Sequence, residues 1–143
     1  MKSMVEVEIN KSQGESAELY ADPRNNLKWM HDIARYEPLS GKEGMPGSTY
    51  RLVPKEGDMI FLATVVERNL PDELKLHLEG SDADVDVKGT FRSLSPTRTK
   101  LISEEVFTFK GGGDETLSPS VKEDIQAAHR RHIEDFKSFA ENQ

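Results

Sequence analysis

The segment IQAAHRRHIEDF, residues 125–136, sets His129 and His132 inside a helical pattern. Wound at about 100° per residue, Val121, Ile125, Ala128, His132, Phe136 and Phe139 form one stripe. His132 lies near its centre, and His129 is expected half exposed at its margin. A titratable ring in an apolar wall can orient a ligand's polar group or exchange a proton near neutral pH. The plainer role is packing, with the ring satisfied by a neighbour.

Glu105 is the second candidate. If Leu101 and Phe107 face inward, its carboxyl enters an apolar interior that raises its pKa; with the register slipped by one residue it points outward beside Glu104. No nucleophile supports it, because Ser93, Ser95 and Ser103 have no GxSxG context and no recognisable basic partner. His31 falls in a loop and His77 on a wet strand face. No HExxH spacing or acidic cluster accompanies the histidines, so neither a metal nor another cofactor is expected.

Composition narrows the partners. In 143 residues, 19 Lys and Arg face 26 Asp and Glu, and the net charge of -7 repels phosphate backbones. Nucleic acid is not expected. With no cysteine there is neither a disulfide framework nor a thiolate metal site. The longest apolar run, MIFLATVV at 59–66, is far short of the roughly 20 residues of a membrane helix, and MKSMVEVEIN lacks the features of a secretory signal. A cytoplasmic protein that does not insert into membranes is expected, built as one domain over residues 1–143.

The elements that must position these side chains follow from periodicity. Val5, Val7 and Ile9 alternate with Glu6 and Glu8, which predicts a strand over 3–10. Ser12 and Glu15 form a capping-box pattern before a short helix that Asp22 and Pro23 end, and a second short helical piece follows at 24–31. From about 33 to 110, turn signals at GKEGMPG, PKEGD, LPDE, GSDAD and SPTR divide six strands, as in consecutive antiparallel hairpins. Leu74, Leu76 and Leu78, like Val85, Val87 and Phe91, alternate with polar residues, so one sheet face is wet. The run 58–66 is apolar on both faces, which fits a central position or a covered outer face. GGGDETLSPS at 111–120 is a link that suits a solvated loop or a hinge, and Ser118 or Ser120 with Pro119 starts a helix of about 20 residues ending at Glu141.

Such a sheet and such a helix share one solution, an α+β helix-grip in which a curved antiparallel sheet of six to seven strands wraps around the long C-terminal helix. The space between them becomes an apolar pocket.

Four segments carry a family resemblance: VEVEINKSQGESAELYADPRNNLKWM with Asp22 and Trp29, ATVVERNLPDELKLHL with Glu67, Pro71 and Leu74, FRSLSPTRTKLISEEVFTF, and HIEDFKSFAE. In this order they resemble the START-like superfamily, also called SRPBCC, which includes birch-pollen allergens, lipid-transfer START domains and bacterial polyketide cyclase-like proteins. GKEGMPG lies where the plant branch carries a glycine-rich, phosphate-loop-like turn but does not reproduce it, so the plant ligands do not carry over.

The resemblance implies a cavity that holds a hydrophobic small molecule such as a lipid, polyketide-like aromatic or isoprenoid. It equally covers cyclase or dehydratase-like enzymes using the same pocket, and cochaperone-like interaction modules, in a monomer or homodimer. The residues expected at the cavity are Trp29 and Met30, which in this family close one end; Tyr50, Leu52, Phe61, Ala63, Leu76, Leu78, Val87, Phe91, Glu105 and Phe107 from the strands; and Ile125, Ala128, His132 and Phe136 from the helix. Arg130 and Arg131 are read as solvated charges.

Overall fold

A computed structural model describes residues 1–113 and 117–143. The order is β1 (Lys2–Ile9), α1 (Gln13–Ala21), a 3-10 turn (Pro23–Asn25), α2 (Asn26–Trp29), β2 (Ile33–Ser40), β3 (Thr49–Pro54), β4 (Phe61–Asn69), β5 (Glu73–Glu79), β6 (Ala83–Ser95), β7 (Arg98–Phe109) and α3 (Pro119–Glu141). The strands form one curved antiparallel sheet in the order β1-β7-β6-β5-β4-β3-β2. Consecutive hairpins build β2 through β7, and β1 closes the far side by pairing with β7. The five turn signals fall between the six strands as the sequence places them.

The helix ends follow from their capping residues. Ser12 accepts from the Glu15 N–H at 3.2 Å, and its hydroxyl donates to the Glu15 carboxylate at 3.0 Å. Asp22 stops α1 and caps the 3-10 turn, accepting from the Arg24 N–H, while Pro23 supplies a fixed φ at the first position. Ser118 accepts from the Val121 N–H at 3.3 Å and begins α3. The hinge expected within 111–120 falls partly on residues 114–116, which lie outside the described residues.

Lateral rows of side chains on the inner sheet face fix the geometry. One row runs Tyr50, Ala63, Leu78, Val85 and Phe107. The next runs Val65, Leu76, Val87, Glu105 and Ser3. A third runs Leu74, Gly89, Ser103 and Val5. The register of β7 therefore turns Leu101, Ser103, Glu105 and Phe107 inward and leaves Ile102, Glu104 and Val106 outside. Glu105 is the one charged member of its row. Gly89 leaves its place open for an aromatic ring: a Cβ there would stand 3.1 Å from Tyr20 Cε1.

The core joins α1, α2 and α3 to this face. Phe136 makes edge contacts with Tyr20 and Trp29, with centroids 5.1 and 5.3 Å apart, and Tyr20 stacks on Trp29 at 5.9 Å. Burying such rings contributes roughly 1.5–3 kcal/mol each. In β4 the run that is apolar on both faces turns Ala63 and Val65 into the core, with Phe61 packed against it. Leu62 and Val66 lie exposed on the outer face, which the described residues leave uncovered.

At the sheet's other edge, β2 carries Pro38 and two register irregularities against β3, one near Ile33 and one near Pro38.

The buried face of α3 is rotated from the expected stripe. His129, Ile133, Phe136 and Ala140 are buried and Ile125, Ala128, His132 and Phe139 half-buried, whereas Val121 is 41% exposed. His129 is therefore a correction: it is 1% exposed rather than at a half-exposed margin. The physical reason lies in two distant strands. Ser3 of β1 and Ser103 of β7 each place a hydroxyl oxygen 2.8 Å from one of its ring nitrogens. In the neutral ring one nitrogen donates and the other accepts, so no buried polar atom of the trio is orphaned.

Candidate functional site

Between the Val65–Ser3 row, the aromatic cluster and α3 lies a narrow cavity of about 60 Å³. Its walls are mostly apolar: Leu52 of β3, Val65 of β4, Leu74, Leu76 and Leu78 of β5, Val87 of β6, Met30, and Ile133 of α3. Polar atoms enter from Tyr20, Asn26, Trp29, Tyr50, Glu105 and His132. Ala21 and Pro23 complete the lining at the end of α1.

Of the expected residues, Trp29, Met30, Tyr50, Leu52, Leu76, Leu78, Val87, Glu105 and His132 meet at this cavity. Ala63, Phe91 and Phe136 are buried in the adjoining core, and Phe61 packs against it. Phe107 stacks on Phe109 further along β7, at 6.1 Å, and Ile125 and Ala128 lie toward the start of α3; none of these lines the cavity. Sequence reasoning missed Tyr20, Ala21, Pro23, Asn26, Val65, Leu74 and Ile133. Two of these were within reach: Leu74 and Val65 continue the alternations of β5 and β4. Tyr20 required the knowledge that Gly89, on a strand far along the chain, leaves space beneath it.

The polar groups differ sharply in charge behaviour. Burial pushes the Glu105 carboxyl up to about 7, against the pull of His132. Burial, with the positive charges of His132 and Arg130, holds His129 down at about 4. The 3.8 Å approach of His129 Nε2 to Glu105 Oε2 is thus no ion pair, since the imidazole stays neutral wherever the carboxylate is charged. His132 is different. Burial opposes its charging, but the hydrogen bond to Asp32, at 3.1 Å, with the charges of Asp32 and Glu105, outweighs that and raises its pKa.

The two cavity tyrosines are kept protonated. Burial, then the nearby Glu105, raises Tyr20 well above the phenolic range. Burial raises Tyr50 to about 12 although the Asn26 side chain pulls the other way. Trp29 Nε1 is buried with no hydrogen-bond partner among the described residues, leaving a donor unmet at the cavity wall. What this arrangement can do chemically is enclose an apolar body, offer hydroxyl and indole donors to an oxygen, and hold one carboxyl poised to change charge near neutral pH. No group of three His, Asp or Glu side chains among the described residues converges to hold a metal ion. No described helix is long and apolar enough to cross a membrane.

No protein-family model matches this sequence, and no curated protein matches it significantly. Solved structures do match its fold. A START superfamily protein from Mycobacterium smegmatis superposes with a TM-score of 0.83 at 16% identity, over 99% of this chain and 97% of that one. The Zhui aromatase/cyclase from Streptomyces sp. R1128 gives 0.80 at 14% identity, over 99% and 93%. Ara h 8.0201 gives 0.77 at 14% identity, over 100% and 99%. The seven-stranded sheet, the paired short helices after β1 and the gripped C-terminal helix are thus those of the START-like helix-grip fold, which this chain adopts.

Proposed function

We propose that this protein binds a hydrophobic or amphipathic small molecule, of lipid, polyketide-like or isoprenoid character, in the cavity between the sheet and α3. The observation that carries this reading is an apolar cavity into which a few polar atoms converge from three helices and two strands. Apolar area buried there supplies affinity at roughly 25 cal/mol per Å², and the polar groups orient the guest. A drug-sized ligand fills roughly 300–1,000 Å³, so at about 60 Å³ the cavity must widen as it fills. The seam between α2 and α3, where Met30 and His132 meet the cavity, is the route we propose for that widening.

The neutral fluorophore N-phenyl-1-naphthylamine tests this reading, because it brightens when it leaves water. Bright, saturable binding is expected in the wild type and loss of it in Val87→Phe, which plugs the cavity from β6. Equal brightening in both would place the probe elsewhere and refute the cavity. Native mass spectrometry of protein purified from its own host then identifies the natural guest by mass.

A second, catalytic reading has one observation in its favour: Glu105, at about 7, suits proton transfer in a cyclase or dehydratase-type reaction. A turnover assay with Glu105→Gln tests it, since that variant retains shape and loses the proton carrier.

A further inference from the structure

Glu105 faces the cavity with the charge of His132 acting on it but, among the described residues, with no hydrogen-bonded cation. Neither Lys nor Arg lines the cavity. The nearest imidazole nitrogen, His129 Nε2, is already bonded to Ser103. His132 also lines the cavity and its positive charge draws on Glu105, but its Nε2 is committed to Asp32. From α1 and β3 only the neutral phenols of Tyr20 and Tyr50 approach, and from the neighbouring strands only Ser3 and Val87 stand opposite. A buried carboxylate left in this position feels the charge of His132, which is shared with Asp32, and lacks the hydrogen-bonded counter-charge that would make its burial favourable.

The rest of the wall supplies the complementary chemistry. Tyr20, Trp29 and Tyr50 bring three aromatic rings to the same small space. Ring faces attract ammonium groups through their quadrupole, most strongly when water is excluded. The net charge of -7 draws cations toward the protein and repels fatty-acid and phosphate head groups. A volume of about 60 Å³ also suits a compact guest better than a two-chain lipid.

We propose that the cavity selects small hydrophobic amines in their protonated form, with the ammonium on Glu105 among the rings of Tyr20, Trp29 and Tyr50. This rests on the ligand-binding reading above and narrows it to one charge class. The unmet Trp29 indole N–H gives the same guest a place for one acceptor oxygen.

Three probes with the same tail decide it: hexylamine, hexan-1-ol and hexanoate, titrated by calorimetry slightly above neutral pH, with the fluorescence of Trp29, the sole tryptophan, as a second readout. Hexylamine is expected to bind about tenfold more tightly than hexan-1-ol, the difference between a charge-assisted and a neutral hydrogen bond, with hexanoate weakest. Repeated slightly below pH 7, where Glu105 is still largely protonated, amine binding should ionise the carboxyl and the heat should change with the ionisation enthalpy of the buffer. In Glu105→Gln, checked for an unchanged fold by circular dichroism, the tenfold preference of amine over alcohol should vanish. Equal binding of alcohol and amine, or a preference that survives in Glu105→Gln, overturns the amine assignment and leaves the cavity reading standing. Failure of all three probes to bind overturns both.

Discussion

His132 Nε2 and Asp32 Oδ2 stand 3.1 Å apart, and one turn along α3 the pairing repeats with the roles exchanged, His31 Nδ1 lying 3.3 Å from Asp135 Oδ2. Two histidine–aspartate contacts thus tie the turn after α2 to the helix, beside the Met30 edge of the cavity. Each crosses the seam between the turn after α2 and α3, beside the cavity.

The first prediction concerns this tie. Asp32 is the main agent that raises the His132 pKa against the effect of burial. In Asp32→Asn the His132 pKa should fall, and NMR titration of the imidazole resonances measures it directly. A value unchanged from wild type would mean that the 3.1 Å bond does not persist in solution.

Glu105 and His129 make opposite contributions to stability against pH. Glu105 titrates at about 7 folded and near 4.5 unfolded, so the folded chain holds the extra proton and stability falls as pH rises through that window. His129 titrates at about 4 folded and near 6.5 unfolded, so the unfolded chain holds the extra proton and stability falls as pH drops. Each effect is on the order of 3 kcal/mol, and where the windows overlap they offset each other. Relative to wild type, Glu105→Gln should gain stability steadily from pH 4.5 to 7. Urea midpoints across pH provide the measurement, and a constant difference between the two proteins would contradict it.

The phase of α3 makes the third prediction. Phe136 is fully buried against Tyr20 and Trp29, so Phe136→Ala should cost about 3–5 kcal/mol. Val121 is largely exposed, so Val121→Ala should stay within about 0.5 kcal/mol. Thermal and urea unfolding distinguish this phase from the stripe in which both residues share one buried face: comparable losses would restore that stripe.

Much of the scaffold was legible because its signals are local. The alternations of Leu74–Leu78 and Val85–Phe91, the turn residues between strands, and the caps at Ser12 and Ser118 each act within a few residues of themselves. The inward turn of Glu105 was legible only as a condition. Strand β7 mixes apolar and polar residues on both faces, and its register is held from both sides, by the hairpin with β6 and by β1 from the opposite end of the chain.

His129 was misplaced for a related reason. An apolar stripe was drawn by residue type, whereas the ring is buried because Ser3 and Ser103 satisfy both its nitrogens. Those partners are 126 and 26 residues away, and no helical periodicity contains them. Ile133 and Ala140 entered the buried face with it.

The irregular edge at β2 matters for how the sheet meets other molecules. A straight, unprotected margin would invite another strand whenever the helix lifted, and neighbouring molecules would stitch together into aggregates. Pro38 withholds one amide, and the two slips in pairing beside β3 disturb the flat row of donors and acceptors that such stitching requires. The β2 margin is thereby a poor template for a further strand.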